Sequence, residues 1–272
     1  MAFLTEPEPA RDMAIPVAPG ISRIVAANSG PMTYHGTNTY LIDDEYGAIV
    51  VDPGPDDPMH VQAILHATGG RIARLLLTHS HRDHLGALAA LRSATGALSY
   101  GFRRYQDTGF TPDLPLDDGE SVAGWTALHT PGHAADHLCF ARADGIICTG
   151  DHVMTWATSV ISPPTGDMTA YFASLRRLLG RHDRLLLPGH GPPLASPRRY
   201  LRDLLEHRKQ REAATLAALA AEPHTVAALV DILYPPLDPR LRAAAERTVL
   251  AHLLKLQAEG RALPQNGTWR AT

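Results

Sequence analysis

The sequence predicts a layered α/β domain followed by a small, mostly helical appendage. Three observations carry this. Short apolar runs of strand length alternate with helix-like segments up to about residue 195. Several of those runs end in a Gly- or Pro-containing turn that holds a histidine or an aspartate, and loops on a rigid scaffold are where chemistry tends to sit. After Pro197 the strand-like runs stop, and long stretches rich in Arg, Leu and Ala take over.

Taken in order, residues 1–20 are dotted with prolines and read as a leader packed on the surface. Strands are expected at 21–27, 39–43 and 48–52, the last stopped by Asp52-Pro53-Gly54-Pro55. A helix at 59–67 precedes a short buried strand at 74–78 built on Leu75-Leu76-Leu77, and a helix at 85–95 follows. Further strands are expected at 126–129, 137–141, 145–149 and 184–187, with a helix at 168–179. The appendage reads as three helices, at 199–221, 225–233 and 239–259. Thr225 is placed to cap the second, Pro235-Pro236 breaks it, and Gly260 ends the third. A small hairpin at 261–269 completes a winged-helix-like unit. The expected units are therefore a leader (1–20), a catalytic domain (21–197) and the appendage (198–272).

Hydrophobic residues make up 44% of the 272 and charged residues 19%, which is enough apolar material for a sizeable core. A formal net charge of −3 gives no electrostatic footprint for tight nucleic-acid binding. Cys139 and Cys148 each lie in an apolar run and read as small buried hydrophobes, not as a disulfide framework or a zinc motif. The N-terminus has acidic residues and no apolar core of a signal peptide, and no apolar run reaches the roughly 20 residues of a membrane span, so a cytoplasmic protein without a membrane partner is expected.

The chemistry is concentrated at Thr78-His79-Ser80-His81-Arg82-Asp83-His84. Imidazole and carboxylate are metal ligands. In an extended stretch residues two apart point the same way, so His79 and His81 can share one ion, and the turn into a helix brings Asp83 and His84 to a neighbouring position. One segment cannot fill two coordination shells. Three more candidates follow apolar strands: His133 in Thr130-Pro131-Gly132-His133, Asp151 in Cys148-Thr149-Gly150-Asp151, and His190 in Leu187-Pro188-Gly189-His190-Gly191. Glycine or proline beside each fixes a tight turn and allows close backbone approach. His60, His66, His182, His207, His224 and His252 stand outside this pattern and read as ordinary surface or core residues.

The order HxHxDH, lone His in a PGH turn, GD, then PGHG resembles the metallo-β-lactamase superfamily over about residues 20–195. The resemblance implies a four-layer αββα sandwich with the site at one edge of its two sheets. It implies that His79, His81 and His133 bind a first metal, that Asp83, His84 and His190 bind a second, and that Asp151 bridges the two. Asp52 matches a residue that orients ligand histidines. The implied cofactor is a zinc pair, although iron and manganese accept the same donors. Such a pair makes hydroxide available near neutral pH from a bridging water and polarises the electrophile, with Asp83 steering a proton to the leaving group.

The resemblance leaves the substrate open. A full aspartate at 151 counts against antibiotic hydrolysis, since lactamases of the family usually carry Cys or Ser there. Residues 199–269 and the run Gly36-Thr37-Asn38-Thr39-Tyr40-Leu41 resemble the lactamase-β-like protein 2 branch, whose animal member cleaves single-stranded RNA. That run makes His35 and Asn38 candidate substrate contacts, and His152, next to Asp151, a candidate pocket residue. Three readings follow: hydrolysis of a small ester, thioester or lactone; endonucleolytic cleavage of single-stranded RNA; or a non-catalytic metal-binding adaptor. A small-molecule partner is expected, with the appendage serving as a lid or homodimer contact in preference to an RNA grip through Arg240 and Arg242. An apolar wall from 156 to 164 over the metals favours the first reading, and an open groove lined by arginines the second.

Overall fold

The computed structural model describes residues 2–103 and 110–272. Two mixed sheets form the centre. The first runs in chain order: β1 (Ile15–Ala18), β2 (Ile21–Val25), β3 (Asn38–Ile42), β4 (Ala48–Val51), β5 (Ile72–Leu76), β6 (Leu98–Phe102) and β7 (Leu114–Leu116). Pairs up to β3–β4 are antiparallel, and β4 to β7 are parallel. The parallel crossovers carry α1 (Pro58–Ala67), the one-turn α2 (Arg82–Leu85) and α3 (Leu88–Thr95). The second sheet holds β8 (Ser121–Val122), β9 (Trp125–His129), β10 (Leu138–Arg142), β11 (Ile146–Gly150), β12 (Leu185–Pro188) and β13 (Leu194–Ala195), in the spatial order 13-12-11-10-9-8. Helix α4 (Met168–Leu179) makes the parallel crossover from β11 to β12.

Strand alternation dictates the layers. Ile49 and Val51 point between the sheets, where they meet Trp125, Phe140 and Leu187, while Val50 points outward to Ile64, Leu88 and Leu91 of α1 and α3. In the second sheet Cys148 faces inward, and Cys139 and Ile147 face Tyr171, Phe172 and Leu175 of α4. Helices therefore cover both outer faces, giving the αββα order.

Beyond β13 come α5 (Arg198–Ala221), α6 (Val226–Leu233), α7 (Arg242–Ala258) and the hairpin β14 (Ala262–Gln265) and β15 (Thr268–Ala271). Thr225 caps α6 by accepting the Ala228 N–H at 3.1 Å. These elements close a core of their own around Leu219, Leu229, Val249, Leu253 and Trp269.

Three expectations change. The 1–20 leader, described from residue 2, ends in β1, which pairs with β2 as the edge of the first sheet. The packing boundary of the appendage falls inside α5 and not at residue 197, because Tyr200, Leu201, Leu204 and Leu205 belong to the outer layer over the second sheet. The helix expected at 85–95 is interrupted at Gly86, where a Cβ would lie 2.4 Å from the Asp56 nitrogen, and the Ala87 N–H is taken by the Gly54 carbonyl.

Candidate metal centre

The seven predicted donors come together at one edge of the sandwich. His79 and His81 follow β5, and Asp83 and His84 lie in α2. His133 follows β9, Asp151 follows β11, and His190 follows β12. Three groups of donors converge: His79, His81 and His133; His79, His84 and Asp151; and Asp83, His84 and His190, with all donor atoms of each group within 4.8 Å of one another. His79 Nε2 and His133 Nε2 stand 2.9 and 3.0 Å from His81 Nδ1. His190 Nε2 lies 3.2 Å from Asp83 Oδ2, and His84 Nε2 lies 3.6 Å from the same oxygen. The two oxygens of Asp151 face opposite groups. Oδ2 is 3.7 Å from His133 Nε2, while Oδ1 is 3.4 Å from His84 Nε2 and 3.5 Å from His190 Nε2.

The donor set fits divalent cations. Two ligands each about 2.0–2.1 Å from a tetrahedral ion stand ~3.3 Å apart, and the separations above bracket that value. His84 Nε2 and Asp151 Oδ1 are buried and find no hydrogen-bond partner among the described residues. Orphaned buried polar atoms are costly, and a cation between them removes the cost. Of the seven, only His81 and Asp83 are not buried, so the cluster opens on their side.

Protonation also suits a cation, which needs neutral imidazoles and ionised carboxylates. Burial pulls the His79 imidazole well below its ordinary pKa, and His84 and His81 push the same way. Burial and the neighbouring His81 bring His133 down to about 4. Burial works to raise Asp83 and Asp151, but the surrounding histidines outweigh it and hold both below the usual carboxylate range. His84 is the exception. Burial disfavours its charge, yet Asp83, Asp151 and Asp52 together raise it, so a cation there displaces a proton.

A histidine that binds a metal is aimed by the nitrogen that faces away from the centre, and the candidate ligands show such contacts. His133 Nδ1 meets the Val160 carbonyl at 2.7 Å, and His190 Nδ1 meets the Gly36 carbonyl at 3.2 Å. Asp52, in the left-handed region at φ 51°, organises His79 and His84. Its Oδ1 accepts the Thr78 N–H at 2.8 Å. Its Oδ2 accepts the Thr78 hydroxyl at 2.7 Å and the His84 Nδ1–H at 2.9 Å. The Thr78 hydroxyl, having donated, accepts from His79 Nδ1 at 3.0 Å. One side chain thus sets the tautomers of two candidate ligands, His84 directly and His79 through Thr78.

The candidate substrate contacts have different positions. Asn38 is 1% exposed, and its amide donates to the Pro188 and Gly191 carbonyls at 2.9 and 2.8 Å. Its backbone N–H bonds Gly189, and Thr37 bridges to His190. The run from Gly36 to Asn38 is a cradle for the His190 loop, so Asn38 is removed from substrate. His152 is fully buried, packed between the rings of His137 and Tyr171, and does not line an open surface. His35 is half-buried against Tyr34, with Nε2 3.1 Å from the Glu6 carbonyl.

His137 was not singled out from the sequence. It is buried beneath His79, its ring 5.2 Å away, and its Nε2 accepts the His152 backbone N–H at 3.2 Å while Nδ1 donates to Thr130 Oγ1 at 3.0 Å. It therefore holds the turn that carries Asp151. In the sequence it heads the apolar run 137–141, which gave no signal of this.

Residues 32–190 match the profile of the metallo-beta-lactamase superfamily, over half of the chain. The chain belongs to this superfamily. It is accordingly a metal-dependent hydrolase, and residues 225–269 match the beta-lactamase associated winged helix domain that accompanies the fold. Among curated relatives, the Beta-lactamase-like protein 2 homolog of Drosophila melanogaster is 29% identical over 266 residues, covering 89% of each chain. The Lactamase-like protein nscB of Neosartorya fischeri is 31% identical, covering 81% of this chain and 70% of its own. The Lactamase-like protein adaB of Aspergillus niger is 34% identical over 73% of this chain, which spans 63% of that relative's length. The fold is shared with a beta-lactamase domain protein from Burkholderia ambifaria, with a TM-score of 0.84 at 22% identity over 97% and 95% of the two chains. A metallo-beta-lactamase family protein from Thermus thermophilus gives 0.79 at 24% identity over 94% and 99%. No helix among the described residues is long and apolar enough to cross a membrane.

Proposed function

We propose that this family member is a dinuclear zinc hydrolase of a small, neutral ester, thioester or lactone with an apolar substituent. The observation that carries this reading is the surface beside the metal cluster. Residues Met154 to Val160 form one wall of a cavity of about 220 Å³ whose lining contains no charged side chain. Two of its residues touch the ligand loops. The Val160 carbonyl holds His133, and the Trp156 ring lies against Gly191, where a Cβ would be 2.8 Å from Trp156 Cδ1. Apolar pockets with a few convergent polar groups take small organic ligands.

When bound, the metals supply an activated water and a Lewis acid for the carbonyl oxygen. The protein's residues do the rest. Asp52, Thr78, Gly36 and Val160 fix the donor atoms, and Asp83, at the open side of the cluster, carries a proton to the leaving group. A protein solved in a di-iron-bound form is 30% identical over 63% of this chain, so iron is a second metal to test beside zinc.

RNA cleavage has less support. Arg240 is paired with Asp238, and Arg242 with Asp231 and Glu246, so these cations are already neutralised on the appendage. The test is a panel on zinc-loaded protein: p-nitrophenyl esters, acyl thioesters, homoserine lactones, nitrocefin, a phosphodiester and single-stranded RNA, with His84→Ala as control. Turnover of an ester, thioester or lactone that His84→Ala abolishes supports the reading. Turnover of RNA or phosphodiester alone overturns it.

A further inference from the structure

The cavity beside the metal cluster is not made by the catalytic domain alone. Its rear wall is Tyr234, Leu237, Leu241, Ala244, Ala245 and Thr248 of the winged-helix domain. Helices α5 and α7 also fix the facing wall. Thr248 Oγ1 accepts the Ile161 N–H at 3.4 Å. The Tyr200 hydroxyl donates to the Met154 carbonyl at 2.8 Å, and the guanidinium of Arg208, itself 2% exposed, donates to the Ser159 carbonyl. The wall from Met154 to Ile161 is thus pinned at both ends and in the middle by α5 and α7.

We propose that the winged-helix domain is the size filter of the enzyme, and that its Leu241 and Ala244 set how long an apolar substituent the substrate carries beside its scissile carbonyl. This rests on the small-ester reading above. A dry 150 Å³ cavity accommodates a benzene ring. A cavity of about 220 Å³ therefore takes a bicyclic ring or a straight chain of about six to eight carbons. Alanine at 244, only half-buried and outside the winged-helix core, leaves that depth open. A larger side chain there shortens the cavity, and a smaller one at Leu241 deepens it.

The experiment is calorimetric titration of zinc-loaded protein with acetate, butanoate, hexanoate, octanoate and dodecanoate, alongside kcat/KM for the matching p-nitrophenyl esters. Affinity is expected to rise about tenfold per pair of buried methylenes until the cavity is full, and then to stop rising. Octanoate should bind at least tenfold more tightly than acetate. Ala244→Phe should move the plateau to four carbons or fewer. Leu241→Ala should move it beyond eight, which gives a second reading if the phenylalanine variant does not fold. Affinity independent of chain length, or a plateau that neither variant moves, overturns the size filter even if esters are hydrolysed. Chain-length-dependent binding without hydrolysis of any ester, thioester or lactone leaves the filter standing and overturns the reading of the reaction.

Discussion

Replacing Asp52 with asparagine tests how the ligand histidines are aimed. Asparagine tolerates the left-handed backbone that Asp52 adopts at φ 51°, so the substitution changes the carboxylate and little else. The aspartate accepts three hydrogen bonds, two from Thr78 and one from His84. Asparagine has one acceptor oxygen. If that oxygen faces the Thr78 N–H, its amide nitrogen faces His84 Nδ1 and forces the proton onto Nε2, the atom that faces Asp83 and Asp151. If it faces His84, two N–H groups confront each other at Thr78. Either way a candidate ligand or its support is lost at a side chain that is 2% exposed. Loss of a group that orients a metal ligand weakens metal affinity about 10–100-fold, about 1.4–2.8 kcal/mol. Because His84 belongs to the group with Asp83 and His190, the ion held there should suffer most. Competition with a chromogenic zinc chelator, in wild type and Asp52→Asn, reads each affinity. Two equivalents bound with unchanged affinities in the variant would falsify the reasoning.

Gly189→Ala should abolish tight binding of at least one ion, since the new Cβ would stand 2.6 Å from Asp151 Oδ1 and 2.7 Å from His84 Cε1; metal content by plasma emission is the check, and full occupancy refutes it. His60 gives a pH effect away from the ligands. Burial pulls its pKa from 6.5 to about 4, so the unfolded chain binds the proton more readily between those values, and its stabilising contribution is complete above 6.5 and lost as the pH falls towards 4. The loss is about 3 kcal/mol at most. Urea unfolding of wild type against His60→Gln from pH 7 to 4.5 should show the wild type losing more, and parallel curves contradict it. Asp83→Asn with both ions bound should lower kcat by a factor of about 10²–10⁴, the usual worth of a positioned acid–base group; full turnover with both ions present removes Asp83 from proton transfer.

The convergence of the seven candidate donors was legible because the information that names them is local. Two-residue spacing, the turn into α2, and glycine or proline beside each remaining donor name seven residues without any knowledge of their neighbours. The strands that deliver them were legible as apolar runs. The supports were not, because each is a pairing across the chain: Thr78 with Asp52, His190 with Gly36, His133 with Val160, His137 with His152. Asn38 illustrates the difficulty. A polar side chain in a run beside the site reads as a substrate contact, and only the fold reveals that its amide is consumed by the Pro188 and Gly191 carbonyls. Strand β1 escaped notice because Ile15-Pro16-Val17-Ala18 is short and carries a proline, which an edge strand tolerates. Strand β6, Leu98-Ser99-Tyr100-Gly101-Phe102, lacks the unbroken apolar signal, and Ser99 is instead satisfied by Asp113.

The most direct test of the account is the number and location of ions in the protein after zinc loading. Metal analysis combined with anomalous diffraction at the zinc edge should give two ions per chain, one among His79, His81 and His133 and one among Asp83, His84 and His190, with Asp151 between them. A single ion, or a pair that leaves either group of histidines unligated, contradicts it.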